Sequence, residues 1–411
     1  ADYSSVVPSY IGLIEDSNFL NNYAGTGGGA ILNNASFYIN EYAPNPWGFG
    51  PLPTTIQEIQ HTNFLNNFAE TSGGALQIQG DLNLIQNSNF IENRANWDAG
   101  GAIAVAFAGH IYLIDQSTFS YNYAGGPLSS GNTSSGGGAI FLESAPTSTI
   151  NVIQNSTFAY NTAVGNGGAI DNNAGYLGIL NHVTIAHNEA GGSGGGLWQY
   201  FGLFPMYVAN SIVYGNNDGG GANDITAPGS QIQSFGFNIV GPTSGYVSAP
   251  SDLLGLTVGQ VNLNPTLALN GSSLGTNTLA LLMGSSAIDA ANPNSISPFY
   301  LLVDQREFTR PFGDAPDIGA YEANASPAVT PIVLDLNGDG VHLISPLESQ
   351  ITLQDPNGEI YQLGWVSGKD GILVYDANHD RTVSGIHEIE LSRYDANATT
   401  DLQGLKLAFD S

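Results

Sequence analysis

The chain has 411 residues, of which 35 are acidic and only 7 are Lys or Arg, so its formal net charge is −28 at pH 7. This balance excludes nucleic acids and anionic lipid surfaces as favoured partners, because phosphate groups need basic counter-charges, and it favours divalent cations. The absence of cysteine excludes disulfides and thiolate metal sites, and no run of 18 apolar residues predicts a membrane-spanning helix.

A repeat dominates residues 1–240. Each copy has Phe or Ile, then Asn three residues later, Ala two residues after that, and a glycine cluster leading into Ala-Ile or a close variant. The copies begin at Phe19, Phe64, Phe90, Phe119, Phe158 and Ile185, and a degenerate copy begins at Ile212. A fixed repeat of this length predicts one structural unit stacked on itself.

The base period is 26–27 residues, interrupted by polar, glycine-rich insertions at 38–54 and 127–135. Short β-branched and aromatic runs lie between turn residues, and no segment has a helical period. The pattern predicts two or three strands per coil of a parallel β-helix. The Phe rings would stack along the core, the Asn side chains would hydrogen-bond from coil to coil at left-handed turns, and the glycines would form corners.

The phrase Phe-x-x-Asn-x-Ala followed by Gly-Gly-Ala-Ile resembles the polymorphic-outer-membrane-protein type repeat of large bacterial autotransporters and adhesins. That resemblance implies a right-handed parallel β-helix, the pectate-lyase-like solenoid. We therefore expect an all-β fold, a β-helix followed by a small β-rich domain.

Residues 241–322 carry Gly284–Ala290, Asp304–Arg306 and Asp317–Glu322, a series similar to the C-terminal segment of bacterial β-helix proteins of the choice-of-anchor class. The resemblance implies terminal coils and a C-terminal cap. The charged residues of this segment favour a structural ion-pair network that covers the open edge of the last coil. A catalytic cluster for acidic sugars is the alternative. These residues are Asp289, Asp304, Arg306, Arg310 and Asp317.

Residues 323–331 form a Pro- and Ala-rich linker, and residues 332–411 have a different character. Asp335–Gly340 reads Asp-Leu-Asn-Gly-Asp-Gly, the first half of a calcium loop, in which alternate side chains supply oxygen ligands and glycine makes the turn. Pro346 occupies position 12, where such loops have Glu, so the site must be completed from elsewhere or be weak.

A second copy begins at Asp376, with Arg381 at the turn-glycine position, and a third, poorer copy begins at Asp395. The segment looks like the calcium-binding region of secreted bacterial proteins of the hemolysin/RTX-associated type, and we expect it to be truncated at its C-terminus. Turn-forming Asx residues without metal are the alternative. The predicted Ca²⁺ ligands are Asp335, Asn337, Asp339, Asp376, Asn378, Asp380, Thr382, Ser384, Glu388, Asp395, Asn397 and Asp401.

Catalysis on the β-helix is a separate hypothesis, because this fold hosts polysaccharide lyases, epimerases and hydrolases. Uronate lyases need basic groups, and Arg94 is the only Lys or Arg in residues 1–300. The weak catalytic candidates, which are more simply explained as solvent-facing polar positions, are Asp171, His182, His187 and Glu189.

We therefore expect an extracellular or cell-surface bacterial protein with a structural or adhesive role. It would be an acidic, calcium-stabilised β-helix rod that binds a surface, a polysaccharide or other copies of itself in fibres. The acidic charge has a simpler explanation in solubility alone. The alternative function is a lyase, epimerase or glycoside hydrolase acting on an acidic polysaccharide.

Overall fold

The computed structural model describes residues 10–33, 54–97, 99–125, 136–143, 148–200, 205–228, 232–272, 274–294 and 301–323 of a first compact unit, Ala1–Ser326. In a second unit, Pro327–Ser411, it describes residues 332–338, 340–344, 351–354, 360–363, 365–376, 379, 381–383, 388–389, 391 and 401–409. Among these residues, no helix has the length and apolar character needed to cross a membrane.

The first unit is a right-handed parallel β-helix, as predicted. Within the described residues a complete coil has four strands, and each type of strand stacks into its own sheet, here named A to D. The prediction of two or three strands per coil is wrong, because one of the four strands is only two residues long and leaves no periodic signal in the sequence.

Sheet A contains the longest strands, and in Thr55–Gln60, Asp81–Gln86 and Thr149–Gln154 the buried residues are the second and the fifth rather than alternate ones. Its strands are β1 (Tyr10–Glu15), β5 (Thr55–Gln60), β9 (Asp81–Gln86), β13 (His110–Asp115), β17 (Thr149–Gln154), β21 (Tyr176–Asn181), β25 (Met206–Ala209), β30 (Ile232–Gly236) and β33 (Tyr246–Val247).

Sheet B carries the repeated Phe at the centre of its first five strands. Its strands are β2 (Asn18–Leu20), β6 (Asn63–Leu65), β10 (Asn89–Ile91), β14 (Thr118–Ser120), β18 (Thr157–Ala159), β22 (Thr184–Ala186), β26 (Ile212–Tyr214), β31 (Ile239–Val240) and β34 (Leu253–Leu254).

Sheet C carries the repeated Ala in two-residue strands, and it ends in an antiparallel pair. Its strands are β3 (Tyr23–Ala24), β7 (Phe68–Ala69), β11 (Arg94–Ala95), β15 (Tyr123–Ala124), β19 (Thr162–Ala163), β23 (Glu189–Ala190), β27 (Asn217–Asp218) and β28 (Gly221–Ala222).

Sheet D follows the glycine cluster. Its strands are β4 (Ile31–Asn33), β8 (Leu76–Ile78), β12 (Ile103–Val105), β16 (Ile140–Leu142), β20 (Ile170–Asn172), β24 (Leu197–Gln199), β29 (Ile225–Thr226) and β32 (Thr243–Ser244).

The Phe rings stack along the core as predicted. Adjacent centroids are 4.6 to 4.9 Å apart and the rings lie within 7° of parallel, from Phe19 through Phe64, Phe90 and Phe119 to Phe158. Ile185 and Val213 continue the column in the next two coils. The glycine corners are also confirmed. Gly100 has φ +73°, and a Cβ on Gly101 would collide with the carbonyl oxygen of Gly138 in the next coil.

The predicted asparagine ladder is present, and it has a direction. In each coil the backbone N–H and the side-chain Nδ2 of the ladder Asn both donate to Oδ1 of the next Asn, at 2.7 to 3.1 Å. The left-handed residue is not the ladder Asn itself but the residue before it, such as Glu92, Tyr121 or His187. The ladder ends on Asp224, whose Oδ1 accepts both donors of Asn216 at 2.7 Å.

A second ladder, which the sequence analysis did not predict, follows the turn between sheets A and B. Backbone N–H groups donate to a hydroxyl of the next coil, as from Ser88 to Ser117 at 3.2 Å. At its C-terminal end Ser211 N–H donates to Oδ1 of Asn238 at 2.9 Å, and Asn238 N–H donates to Oδ1 of Asp252 at 3.1 Å. Both ladders therefore end on a carboxyl group whose Oδ1 accepts hydrogen bonds from the last Asn.

Residues 257–323 run back along the outer face of sheet B. This segment contains α1 (Val258–Val261) and the antiparallel pair β35 (Leu263–Ala268) and β36 (Thr278–Leu281). The outward hydroxyl of Thr118 donates to Asn277 O at 2.8 Å, and that of Thr184 accepts from Ala320 N–H at 3.0 Å. The segment thus forms a lateral layer over several coils, where the sequence analysis expected a cover for the edge of the last coil.

The second unit contains short antiparallel pairs. They are β37 (Val333–Asp335) with β42 (Asp370–Ile372), β38 (Leu343–Ile344) with β41 (Trp365–Val366), and β39 (Ile351–Gln354) with β40 (Ile360–Leu363). A helical turn α2 (Asp401–Gly404) continues into a π-helical turn at Leu405–Phe409.

Candidate metal centre

The first predicted calcium loop begins where β37 ends. The carboxylate of Asp335 accepts backbone N–H groups from within the loop, at 3.2 Å from Asn337, 2.7 Å from Gly338 and 2.9 Å from Gly340. Gly338 and Gly340 have φ of +77° and +96°, values that glycine adopts without strain. The loop therefore wraps around its first carboxylate.

In its described residues, the second predicted loop shares two features with the first. Oδ2 of Asp376 accepts the N–H of Arg381 at 2.9 Å, and this is the same first-to-sixth-residue bond that joins Asp335 to Gly340. His379 and Arg381 have φ of +60° and +64° at the positions of the two glycines of the first loop. A non-glycine residue in this region costs of order 1 to 3 kcal/mol, so the loop holds its shape against local strain.

A cavity of about 260 Å³ adjoins the second loop. Asp376, Thr382 and Glu388, three predicted calcium ligands, line it together with Arg381 and two Val side chains. Glu388 is fully buried, and its backbone carbonyl accepts the N–H of Tyr375 at 2.8 Å. The structure thus brings Glu388 to the loop, one residue beyond the usual position 12.

Several predicted ligands lie outside the described residues, or have only a described backbone. Asp339, Asn378, Asp380, Ser384, Asp395 and Asn397 are in the first group, and Asp401, at the start of α2, is in the second. In the part of the chain that the structure does describe, no three His, Asp or Glu side chains form a metal-binding cluster. Calcium loops also use amide, hydroxyl and backbone carbonyl oxygens, so the described acidic residues are only part of a ligand set.

Sequence reasoning missed Asp370, at the start of β42. The antiparallel register pairs it with Asp335, so the two acidic residues lie directly opposite each other. The sequence offers Asp370-Gly371 as a turn signal, and only the strand pairing reveals its position beside the first loop.

The four weak catalytic candidates lie on different faces of the solenoid. Asp171 is in sheet D and Glu189 is exposed in sheet C, while His182 and His187 are at the A–B and B–C turns. The pKa of His182 is held well below its usual range by burial and by the charge of Arg310. The neutral form of the ring is therefore favoured beside the lateral layer. Burial also lowers the pKa of His187, whose ring stacks on Tyr160 at 5.1 Å.

Asp171 is the most unusual of the four. It is 2% exposed, it lies between Phe141 and Trp198 in adjacent strands, and burial raises its pKa well above the usual range. Its Oδ1 has no hydrogen-bond partner within the described chain. Burial of this carboxyl between two aromatic side chains favours its protonated form, and no second acidic or basic candidate lies on the same strand.

The charged residues of the lateral layer form a buried ion-pair network, as expected. Arg306 pairs with Asp304 at 2.6 Å, and its guanidinium lies between the rings of Phe308 and Tyr321, at 4.0 and 3.6 Å from their centroids. Arg310 pairs with Glu322 at 3.1 Å. Asp289 and Asp317 accept backbone N–H groups within the same layer. All of these contacts join residues of the lateral layer to one another, which favours a structural role.

Comparison with known proteins gives one finding for the second unit. Residues 332–411 match the family model of the SPM domain. No curated protein matches the chain, and no solved structure matches it.

Proposed function

We propose that the second unit binds Ca²⁺ through its two Asp-x-Asn-x-Asp loops. The observation that carries this proposal is the convergence of Asp376, Thr382 and Glu388 on one cavity, beside the hydrogen bond that Asp376 accepts from Arg381 N–H. Carboxylate, carbonyl and hydroxyl oxygens are the ligands that Ca²⁺ prefers. In both loops the carboxylate of the first residue accepts the N–H of the sixth, and this shared hydrogen bond supports Ca²⁺ binding at both.

The whole chain, in this proposal, is a structural or adhesive protein outside a bacterial cell or on its surface. The repeated Phe, Asn, Ala and Gly of the solenoid are explained by stacking of coils, and a charge of −28 without cysteine suits an extracellular protein stabilised by repeats and calcium. The resemblance to polymorphic-outer-membrane-protein and choice-of-anchor repeats, and to the hemolysin/RTX-associated type, supports this location.

The proposed partner is a surface or a polysaccharide. The hydrogen-bond ladders do not favour end-to-end association of copies as a continuation of the solenoid. The C-terminal ends of the ladders are Asp224 and Asp252, and Asp224 is only 1% exposed, so it is not accessible to the Oδ1 acceptor of Asn22 in another copy. A fibre would therefore need contacts other than continuation of the ladder.

Calcium should raise the melting temperature of the full chain. Ligands that bind only the folded state stabilise it by about 2.7 kcal/mol at a concentration 100 times the dissociation constant. Differential scanning calorimetry in millimolar Ca²⁺ and in EGTA measures the shift, and Asp376→Ala should reduce it. Asp81→Ala, in sheet A of the first unit, is the matched control and should keep the full shift. Equal melting temperatures of the wild type in Ca²⁺ and in EGTA would contradict the proposal.

A β-helix enzyme acting on an acidic polysaccharide is the second candidate, and the buried carboxyl of Asp171 is the observation that favours it. Such an enzyme would release unsaturated or epimerised uronates, or reducing ends, from pectin or alginate. Turnover by the wild type that disappears in an Asp171→Ala, His187→Ala double variant would support the enzyme. No turnover in either protein would leave the adhesive role.

A further inference from the structure

The first loop lacks the carboxylate that normally closes a calcium loop. Pro346 stands at position 12, whereas the second loop has Glu388 close to that position. A loop with an incomplete ligand set binds Ca²⁺ weakly unless another segment supplies an oxygen. The first loop therefore needs a carboxylate from elsewhere in the second unit.

Strand pairing places such a carboxylate beside the loop. Asp370 is the antiparallel partner of Asp335, and directly opposed side chains lie on the same face with Cβ atoms about 4.5 to 5.5 Å apart. Gly340 N–H donates to Oδ2 of Asp335 at 2.9 Å, and His342 N–H donates to Oδ2 of Asp370 at 2.9 Å. The same stretch of loop backbone thus holds both carboxylates.

One oxygen of Asp370 remains available. The side chain has no exposed surface, and Oδ2 also accepts the Ser367 hydroxyl at 3.0 Å, while His342 Nδ1 approaches that same oxygen at 4.0 Å. Oδ1 is buried and has no hydrogen-bond partner among the residues that the structure describes. A buried carboxylate oxygen without a donor is costly, and a cation between two neighbouring carboxylates removes that cost.

We propose that Asp370 is a ligand of the Ca²⁺ ion in the first loop, where it takes the place of the missing position-12 carboxylate. This inference rests on the proposed calcium function. It adds a ligand from a separate strand to a loop whose own residues, Asp335 and Asn337, supply the first oxygens. Binding of Ca²⁺ would join β42 to the loop after β37.

Isothermal titration of the full chain with CaCl₂ tests the assignment. The wild type should bind two ions. Asp370→Asn should weaken one site by about 10-fold or more and leave the other unchanged. Asp376→Ala should weaken the other site instead. Asp370→Glu, which keeps the charge, should recover part of the lost affinity.

The outcomes separate this inference from the proposed function. A wild type that binds no Ca²⁺ overturns both. Two sites in the wild type and an unchanged isotherm for Asp370→Asn overturn only the role of Asp370. In EDTA, Asp370→Asn should melt at the same temperature as the wild type or higher, because Asn still accepts from His342 N–H and no longer repels Asp335. A lower melting temperature in EDTA would show a structural role and overturn the assignment as a ligand.

Discussion

At the scale of single residues, two carboxyl groups of the solenoid, Asp224 and Asp115, combine burial with a defined set of hydrogen-bond donors. Asp224 accepts both donors of Asn216, yet burial raises its pKa to about 7. Asp115, at the end of β13, is raised to about 6 by the same cause. In both cases the loss of hydration outweighs the hydrogen bonds that favour the charged form.

These groups predict stability that falls as the pH rises. A carboxyl whose folded pKa lies above its unfolded value binds more protons in the native state, so stability is greatest below about pH 4 and declines up to the folded pKa. For Asp224 the decline should extend to about pH 7. Asp224→Asn keeps an acceptor for Asn216, and its advantage in stability over the wild type should grow from pH 5 to pH 8.

Urea denaturation at pH 5 and pH 8 measures this difference in the free energy of unfolding. One such group contributes at most about 1.4 kcal/mol per pH unit within its window. Asp81→Asn removes the same charge from a half-buried position in sheet A and serves as the control. A pH dependence as steep in Asp224→Asn as in the wild type would show that other groups cause it.

At the scale of elements, each ladder Asn joins three coils. Asn122 accepts two hydrogen bonds from Asn93, at 3.0 Å each, and its Nδ2 donates to Phe90 O and to Asn161 Oδ1 at 2.9 Å. All of these groups lie in the interior, where an unpaired donor or acceptor costs about 1 to 3 kcal/mol. The ladder is thus a chain of mutually dependent bonds.

Asn122→Ala should destabilise the solenoid by about 3 kcal/mol or more, since it leaves several buried groups without partners. The matched control is Asn63→Ala on the outer face of sheet B. Asn63 makes single side-chain bonds at 2.9 Å to Asn18 and Asn89, and its loss should cost less than about 1 kcal/mol. Chemical denaturation of both variants compares them, and equal losses would contradict the special role of the ladder.

The repeat made the coil predictable from the sequence, because Phe, Asn and Gly recur in phase and each needs one kind of environment. The two-residue strands of sheet C were not predictable, since a pair such as Tyr123–Ala124 leaves no period. The lateral position of residues 257–323 was also missed, because it depends on contacts such as Gln305 to Thr157 between distant parts of the chain. Asp370 was missed for the same reason.

At the scale of the whole molecule, the two units use their polar and charged residues differently. The solenoid uses its polar residues to join one coil to the next and buries its few basic side chains in the ion pairs of the lateral layer, apart from Arg94 in sheet C. In its described residues the second unit has short strand pairs, and its sequence concentrates Asp residues in the two Asp-x-Asn-x-Asp motifs. In the proposed function, calcium is what compensates these charges and orders the loops.

The number of Ca²⁺ ions bound per chain tests this account most directly. Equilibrium dialysis of the full chain at about 1 mM free Ca²⁺, within the range of extracellular calcium modules, measures it. The predicted result is two ions per wild-type chain, with reduced occupancy of one site in Asp370→Asn and of the other site in Asp376→Ala. A chain that retains no Ca²⁺ above the buffer concentration would contradict the account.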